Sequence, residues 1–342
     1  MIKSRADLET KLHLTDREKA WFDNPSGLPL LISRPLFDLI DPDDVNDPVR
    51  KQFVPDVREN DKSASLDPLA ETEHSVSKRI IHRYEHRIAF LTTDRCFSYC
   101  RHCFRRRFTA KESGAVTERE IDEAASYLEA HEEVYEVLLT GGDMFTLSDR
   151  MIEYMLSTLR RKRKDLVLRL CTRANISFPQ RFTPELMQII EKANEEGPLY
   201  LMTHYNHPAE LTPESLASVK AFTRLGIACF NQTVLLRGVN DSADTLEKLC
   251  VRLLASRIKP YYLFQCDLVE GTAHLRVPVA KGLEIEKELR KRLSGLAMPQ
   301  YTIDLPEGGG KVILTEQHLI SRDDETFTFT TPEGEIRHYP AK

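Results

Sequence analysis

Three cysteines lie within eight residues of one another, and their spacing suits metal binding. They are Cys96, Cys100 and Cys103, in the pattern C-x3-C-x2-C. Cysteine thiolates are the protein ligands of most iron–sulfur clusters, and four thiolates would saturate a four-iron cube. Three thiolates leave one iron open to another molecule, as a catalytic metal site requires. The spacing therefore predicts an iron–sulfur cluster with one free coordination position.

A structural zinc site is the alternative interpretation of the same cysteines. Zinc usually takes four closed ligands, and His102 or a distant cysteine would have to supply the fourth. The chain has seven cysteines, an odd number, and the other four are scattered, so no disulfide framework is indicated. We interpret these four as buried apolar residues: Cys171, Cys229, Cys250 and Cys266.

A second candidate for chemistry is Lys311, which ends the glycine-rich run 307–311. Glycine allows the backbone to bend freely and to approach a ligand closely. A lysine amine in such a place can form a Schiff base with an aldehyde cofactor. From the spacing alone, a surface hairpin that ends in a solvated lysine is the better interpretation, because short glycine motifs are common in turns.

Two pairs of charged residues are candidates for binding. Asp267 and Asp304 each follow an apolar run, so their carboxylates are expected near the site, where a buried acid needs a cation. A helix cap or an internal ion pair would explain either aspartate alone. Arg83 and Arg87 precede the first predicted barrel strand, and arginine suits phosphate through its forked donors. An ordinary solvated basic face is the alternative for these arginines.

Composition sets the class of protein that must position these residues. The chain has 342 residues, of which 41% are hydrophobic and 30% are charged, as in a globular protein with a substantial core. A net charge of -5 gives no reason to expect nucleic-acid binding. There is no apolar run long enough for a membrane span or a secretory signal, so a cytoplasmic location is expected.

Apolar strands alternate with amphipathic helices from residue 88 onward. The predicted strands are 88–93, 134–140, 166–172, 199–204, 229–236 and 260–265, and the predicted helices are 117–131, 149–160, 183–193, 212–225, 242–256 and 279–293. This alternation means parallel strands joined by right-handed crossovers. Polar residues at the strand ends favour a barrel over an open doubly wound sheet. We predict an α/β fold, a partial (β/α)6 barrel.

Three regions follow from this pattern. Residues 1–80 are predicted to form an N-terminal helical and irregular extension, and residues 81–278 the barrel. Residues 279–342 are predicted to form a short C-terminal segment that carries Lys311 and contains the strands 301–305, 312–314 and 326–330.

Several longer motifs resemble the radical S-adenosylmethionine superfamily and, within it, the lysine 2,3-aminomutase family. The segments that carry the resemblance are 93–108, 139–143, 203–208 and 231–238. The resemblance covers roughly residues 70–340, and its many motif positions make it specific. It implies a partial barrel, a [4Fe-4S] cluster, S-adenosylmethionine and pyridoxal phosphate. The implied reaction moves the α-amino group of an amino acid to its β-carbon, converting L-lysine to β-lysine.

The resemblance also assigns roles to individual residues. Lys311 matches the catalytic lysine that binds pyridoxal phosphate, and Arg83 and Arg87 match the arginines that bind its phosphate. Arg105 matches a ligand of the substrate α-carboxylate, and Asp267 with Asp304 matches the pair that holds the side-chain ammonium. The positions that match contacts to S-adenosylmethionine are Gly141, Gly142, Asp143, His204 and Gln232.

The resemblance also implies partners and leaves alternatives. It implies an electron donor such as flavodoxin or ferredoxin, and it is compatible with a homo-oligomer. Ser242 stands where some relatives have a zinc-binding cysteine, so that zinc site is expected to be absent. One alternative is the branch of the family that modifies translation elongation factor P, which has similar length. The non-enzymatic alternative is an iron–sulfur electron-transfer module.

Overall fold

The computed structural model describes residues 1–111, 114–315, 318–322, 326–331 and 334–340. The helices are α1 (Arg5–Glu9), α2 (Asp16–Asp23), α3 (Arg34–Leu39), α4 (Pro48–Phe53), α5 (Glu118–Ala130), α6 (Asp149–Lys162), α7 (Ala174–Ser177), α8 (Pro184–Glu195), α9 (Pro213–Arg224), α10 (Ala243–Ala255) and α11 (Val279–Arg292). Within these ranges, no helix has the length and apolar character that a membrane span requires.

One sheet of nine strands organises the molecule. Its strands, in spatial as well as chain order, are β1 (Ile80–Tyr84), β2 (Arg87–Thr93), β3 (Glu136–Gly141), β4 (Val167–Cys171), β5 (Leu199–Thr203), β6 (Ala228–Leu235), β7 (Ile258–Gln265), β8 (Gln300–Leu305) and β9 (Gly310–Ile313). Strands β2 to β8 run parallel, whereas β1 and β9 are antiparallel edges. A second sheet contains β10 (Leu319–Arg322), β11 (Thr326–Thr330) and β12 (Ile336–Pro340).

The predicted partial barrel is confirmed, with two differences at its edges. Strand β8 was expected in the C-terminal segment, but it pairs in parallel with β7 as a seventh barrel strand, so the sheet continues past residue 278. Arg83 and Arg87 were expected before the first strand. Arg83 instead lies on β1, and Arg87 begins β2 and pairs with Tyr84 across the hairpin.

A serine or threonine caps each of the helices α5, α6, α8, α9 and α10. The capping residues are Thr117 for α5, Ser148 for α6, Thr183 for α8, Thr212 for α9 and Ser242 for α10. In each case the side-chain oxygen accepts a hydrogen bond from a backbone N–H of the first turn, which stabilises a helix by about 1 kcal/mol. Ser242 therefore has a structural function at this position, since its Oγ accepts from the backbone N–H of Thr245.

The N-terminal extension is helical, as predicted, and packs against the loop that contains the three cysteines. The backbone N–H of Tyr99 donates to the carbonyl of Leu31, over 2.9 Å. The buried carboxylate of Glu59 accepts from Arg101 Nε over 2.8 Å and from Arg106 Nη2 over 3.4 Å. Buried charges are tolerated only when they are paired in this way. The extension therefore fixes the cysteine loop from outside the barrel.

Replacing Glu59 with alanine is expected to lower the free energy of unfolding by about 3–5 kcal/mol, because two buried arginines would lose their shared carboxylate. Urea denaturation measures this change. Glu9→Ala is a matched control, since its pair with Arg5 is exposed and contributes at most about 1 kcal/mol. Equal effects of the two substitutions would contradict the anchoring function of Glu59.

Candidate active site

The three cysteines lie together in the loop that follows β2. Burial raises the pKa of the Cys96 thiol, and nearby Asp143, Cys103 and Cys100 raise it further. Burial also raises the pKa of Cys103, with Cys100 the next contribution. These mutual effects require the three thiols to be close in space. The described residues include no group of three or more His, Cys, Asp and Glu side chains that is arranged to hold a metal ion.

A buried arginine contacts this group of thiols from the turn between β4 and α7. Arg173 Nη1 lies 2.9 Å from Cys100 Sγ, and Arg173 Nη2 donates to Glu210 Oε2 over 2.7 Å. Its Nη2 also donates to Gln52 Oε1. A guanidinium here compensates the negative charge of a thiolate, and hydrogen bonds to cluster sulfurs tune iron–sulfur centres. The donor set therefore fits a cluster held by three thiolates.

The turn Gly141–Asp143, at the end of β3, supports the cysteine loop. The backbone N–H of Gly142 donates to the Thr93 carbonyl over 2.6 Å, and that of Asp143 donates to the Arg95 carbonyl over 2.7 Å. A Cβ atom on Gly142 would lie 2.2 Å from the Arg95 oxygen, so only glycine allows this approach. Two backbone N–H groups of this turn, which is predicted to bind a cofactor, therefore already donate hydrogen bonds within the protein.

The carboxylate of Asp143 also accepts hydrogen bonds within the protein. It accepts from Thr172 Oγ1 over 2.9 Å and from the Arg173 backbone N–H over 2.8 Å. Burial raises the pKa of Asp143, although these hydrogen bonds oppose the shift. Asp143 thereby joins the end of β3 to the end of β4, and its contact with S-adenosylmethionine stays a prediction.

His204 directly follows β5, and Gln232 lies within the neighbouring strand β6. The His204 ring stacks on His102 with centroids 5.3 Å apart and an interplanar angle of 14°. Their Nε2 atoms are 3.1 Å apart, and burial holds the pKa of both residues well below the ordinary value. Both imidazoles are therefore neutral at pH 7. Gln232 lies half-buried on β6, in register with Tyr262 of β7.

Lys311 occupies a partly enclosed position on β9, not a solvated turn. Its Nζ donates to Asp304 Oδ2 over 2.7 Å and lies 4.1 Å from the centroid of the Phe264 ring. Burial lowers the pKa of Lys311, although the charges of Asp304 and Asp267 oppose this effect, and Arg87 lowers it further. A lowered pKa increases the fraction of free amine, which is the form that attacks an aldehyde.

The charge of Arg87, at the start of β2, is near enough to lower the pKa of Lys311 on β9, so the curled sheet brings these two strands near each other. The Arg87 guanidinium lies 3.9 Å from the centroid of the Tyr84 ring. Nε and Nη2 of Arg83 are buried, and neither has a hydrogen-bond partner. Buried donors without acceptors are rare in proteins, and a phosphate would satisfy them. These residues fit a phosphate-bearing aldehyde cofactor bound at Lys311.

The predicted substrate-binding residues also lie together. Burial raises the pKa of Asp267 to about 7; the charge of Asp304 adds to this shift, while Lys311 opposes it. Arg105 is close enough to lower the pKa of Asp267, yet it is already paired with Glu71, whose Oε1 is 2.7 Å from Arg105 Nη2. Glu71 could not be identified from the sequence, because its segment carries no periodic signal or recognisable motif.

Thiols at the carboxyl end of a parallel partial barrel define the class of radical S-adenosylmethionine enzymes, and the profile described as "Radical SAM superfamily" matches residues 90–249. The profile described as "Lysine-2,3-aminomutase" matches residues 285–342. The chain is 38% identical over 341 residues to the L-lysine 2,3-aminomutase of Clostridium subterminale, covering 99% of this chain and 81% of that protein. The chain belongs to the lysine 2,3-aminomutase family.

Other relatives carry two different names. The L-lysine 2,3-aminomutase of Bacillus subtilis is 38% identical over 342 residues, covering 99% of this chain and 72% of that protein. The glutamate 2,3-aminomutase of Clostridioides difficile is 37% identical over 306 residues, covering 89% of this chain and 72% of that protein. The family is one of isomerases, and it implies a [4Fe-4S] cluster, S-adenosylmethionine and pyridoxal phosphate. The predicted family and cofactors are confirmed at this level.

Proposed function

We propose that this protein is a 2,3-aminomutase that converts L-lysine to β-lysine. The observation that carries the proposal is the placement of Asp267 and Asp304 beside Lys311, close enough for each to alter the pKa of that lysine. Lys311 Nζ donates to Asp304 Oδ2 over 2.7 Å, so this carboxylate can hold an alkylammonium group. The ε-ammonium of lysine is the same chemical group.

The same two carboxylates disfavour glutamate. Glutamate would bring a third carboxylate to Asp267 and Asp304, and like charges at short range repel strongly where water is excluded. Asp267 already responds to the charge of Asp304, which raises its pKa. A cationic side chain relieves this repulsion, whereas an anionic one increases it. The charge of the site therefore favours lysine between the two substrates named among the relatives.

Each group of the site has a role in this proposal. Cys96, Cys100 and Cys103 would hold the cluster, and Lys311, Arg83 and Arg87 would hold pyridoxal phosphate. When bound, the cluster with S-adenosylmethionine supplies radical chemistry, and pyridoxal phosphate carries the amino group. The protein itself positions the substrate. The two aspartates would bind the ε-ammonium of lysine, and Arg105 would bind its α-carboxylate. The aromatic rings of Tyr262 and Phe264 would exclude water beside Lys311.

Anaerobic product analysis tests the proposal. The protein is reconstituted with iron and sulfide, supplied with S-adenosylmethionine, pyridoxal phosphate and a reductant, and offered lysine, glutamate or arginine separately. We expect β-lysine from lysine and no β-amino acid from the other two. Formation of β-glutamate, or 5′-deoxyadenosine without any β-lysine, would contradict the proposal. Product that forms or is transferred only with elongation factor P would support the alternative branch.

Lysine binding is expected to depend on pH through Asp267. Its pKa is raised to about 7, so the carboxyl group is protonated below that pH and cannot pair with an ammonium. The KM for lysine should therefore fall as the pH rises from about 6 to about 8. Asp267→Asn should raise KM about tenfold or more and flatten this part of the pH profile. An unchanged profile in the variant would assign the pH dependence to another group.

A further inference from the structure

Glu71 is a buried carboxylate that the function proposed above does not use. We propose that Glu71 is a positioning residue, which holds Arg105 in the orientation that binds the α-carboxylate of the substrate. This inference rests on the proposed function, because it assumes a substrate with an α-carboxylate. It extends that function by assigning a specificity role to the N-terminal extension.

The hydrogen bonds of Arg105 carry the argument. Glu71 Oε1 accepts from Arg105 Nε over 2.9 Å and from Nη2 over 2.7 Å, while Nη1 donates to Thr140 Oγ1 over 2.9 Å. A guanidinium has five N–H donors in a fixed plane. The contacts with Glu71 and Thr140 leave one N–H on each terminal nitrogen, and a carboxylate can accept from two N–H groups of one guanidinium. Glu71 therefore orients the guanidinium of Arg105 and leaves N–H groups on Nη1 and Nη2 free for the substrate carboxylate.

Glu71 is itself fixed by the segment that contains it. We call residues 61–75 the strap. The carbonyls of Asp61 and Ser65 accept from Gly271 and Glu270, over 2.9 Å and 3.0 Å. The carbonyl of Pro68 accepts from the backbone N–H of Glu307 over 3.2 Å. The strap thus crosses between the loop after Asp267 and the turn before Lys311.

Side chains fix the middle of the strap in the same way. The backbone N–H of Glu71 donates to Asp67 Oδ1 over 3.0 Å. Arg107 lies 3.2 Å from Asp67 Oδ1 and donates to Glu71 Oε2 over 3.3 Å. Glu71 is only 6% exposed. Its carboxylate is therefore presented from a rigid segment, and it faces two arginines of the cysteine loop.

Charge explains why Arg105 needs such a partner. Arg105 lies close enough to Asp267 to lower the pKa of that residue. Without Glu71, the guanidinium would lack its main anion and would turn toward the acidic pair of Asp267 and Asp304. This would misplace the α-carboxylate ligand and neutralise the ammonium-binding carboxylates. Glu71 keeps the cationic and anionic ends of the site apart.

The test compares ligands with and without a carboxylate. The protein is loaded with pyridoxal phosphate, S-adenosylmethionine is omitted, and the change in cofactor absorbance measures the binding of lysine or of 1,5-diaminopentane. Glu71→Ala and Glu71→Gln are expected to weaken lysine binding about tenfold or more and to leave diaminopentane binding unchanged. Glu73→Ala is the matched control, because Glu73 is exposed on the same strap.

The outcomes separate this inference from the proposed function. A selective loss of lysine binding supports the positioning role, and thermal unfolding of Glu71→Gln shows whether that variant keeps the fold. Equal losses for both ligands, or no loss, would overturn the role of Glu71 while leaving the function intact. A wild-type protein whose cofactor absorbance did not respond to lysine would overturn the function and this inference together.

Discussion

Replacing Cys100 with alanine is expected to remove the cluster and to lower the formation of 5′-deoxyadenosine and β-lysine roughly 10³-fold or more. Two thiolates, Cys96 and Cys103, cannot hold a four-iron cluster with a single open iron. The substitution also removes the sulfur partner of Arg173 at 2.9 Å, while Glu210 still pairs with this buried cation at 2.7 Å. Iron and sulfide content, electron paramagnetic resonance and 5′-deoxyadenosine yield measure the result.

Cys229→Ala is the matched control for this experiment. Cys229 is buried on β6, and its thiol donates to the carbonyl of Ile227. We expect this variant to keep the iron content and activity of the wild-type protein. Full iron content in Cys100→Ala would show that a ligand other than this cysteine completes the cluster. Bound zinc in place of iron in the wild-type protein would support the zinc interpretation of the motif.

Replacing Lys311 with alanine is expected to abolish covalent attachment of pyridoxal phosphate and to lower activity roughly 10³-fold. Burial lowers the pKa of the Lys311 amine, and the charge of Arg87 lowers it further. Borohydride reduction of the loaded wild-type protein, followed by peptide mass spectrometry, should place the cofactor on residue 311. A reduced adduct on another lysine would contradict the assignment.

Two further variants separate chemistry from charge in this test. Lys311→Arg keeps a cation for Asp304 and cannot form a Schiff base, so it should lose the cofactor bond while retaining the stability of the fold. Lys281→Ala removes an exposed lysine that pairs with Glu284, and it should change neither property. If Lys311→Arg retained the covalent cofactor, the role of Lys311 as its attachment point would be wrong.

The barrel is largely predictable from the sequence, because buried parallel strands appear as continuous apolar runs. The run at 88–93 matches β2, and the run at 199–204 matches β5, each within a residue or so of its bounds. The edges are harder to predict. Strand β8 alternates polar and apolar residues, and β1 contains a histidine and an arginine, so neither has the apolar continuity of the inner strands.

The site is predictable in its residue types but not in its contacts. The spacing of the cysteines identifies Cys96, and family motifs identify Lys311. Neither pattern tells which side chains contact these residues in the folded protein. The partners of these residues depend on how distant segments pack. Glu71 contacts Arg105 from a segment without regular structure, and Arg173 contacts Cys100 from the turn that follows β4. Asp143 differs from these residues: the family motif predicts a cofactor contact, but its carboxylate accepts hydrogen bonds from Thr172 and Arg173 within the protein.

The proximity of Arg87 to Lys311 has a consequence for the order of folding and cofactor binding. These residues belong to the first and last parts of the sheet, so they become neighbours only when the whole barrel has been synthesised and has curled. Contacts so distant in sequence form late in folding. A ribosome-bound chain that lacks the final strands can assemble its cysteine loop early, yet it has no complete place for the aldehyde cofactor. Loading of that cofactor should therefore follow release of the finished chain.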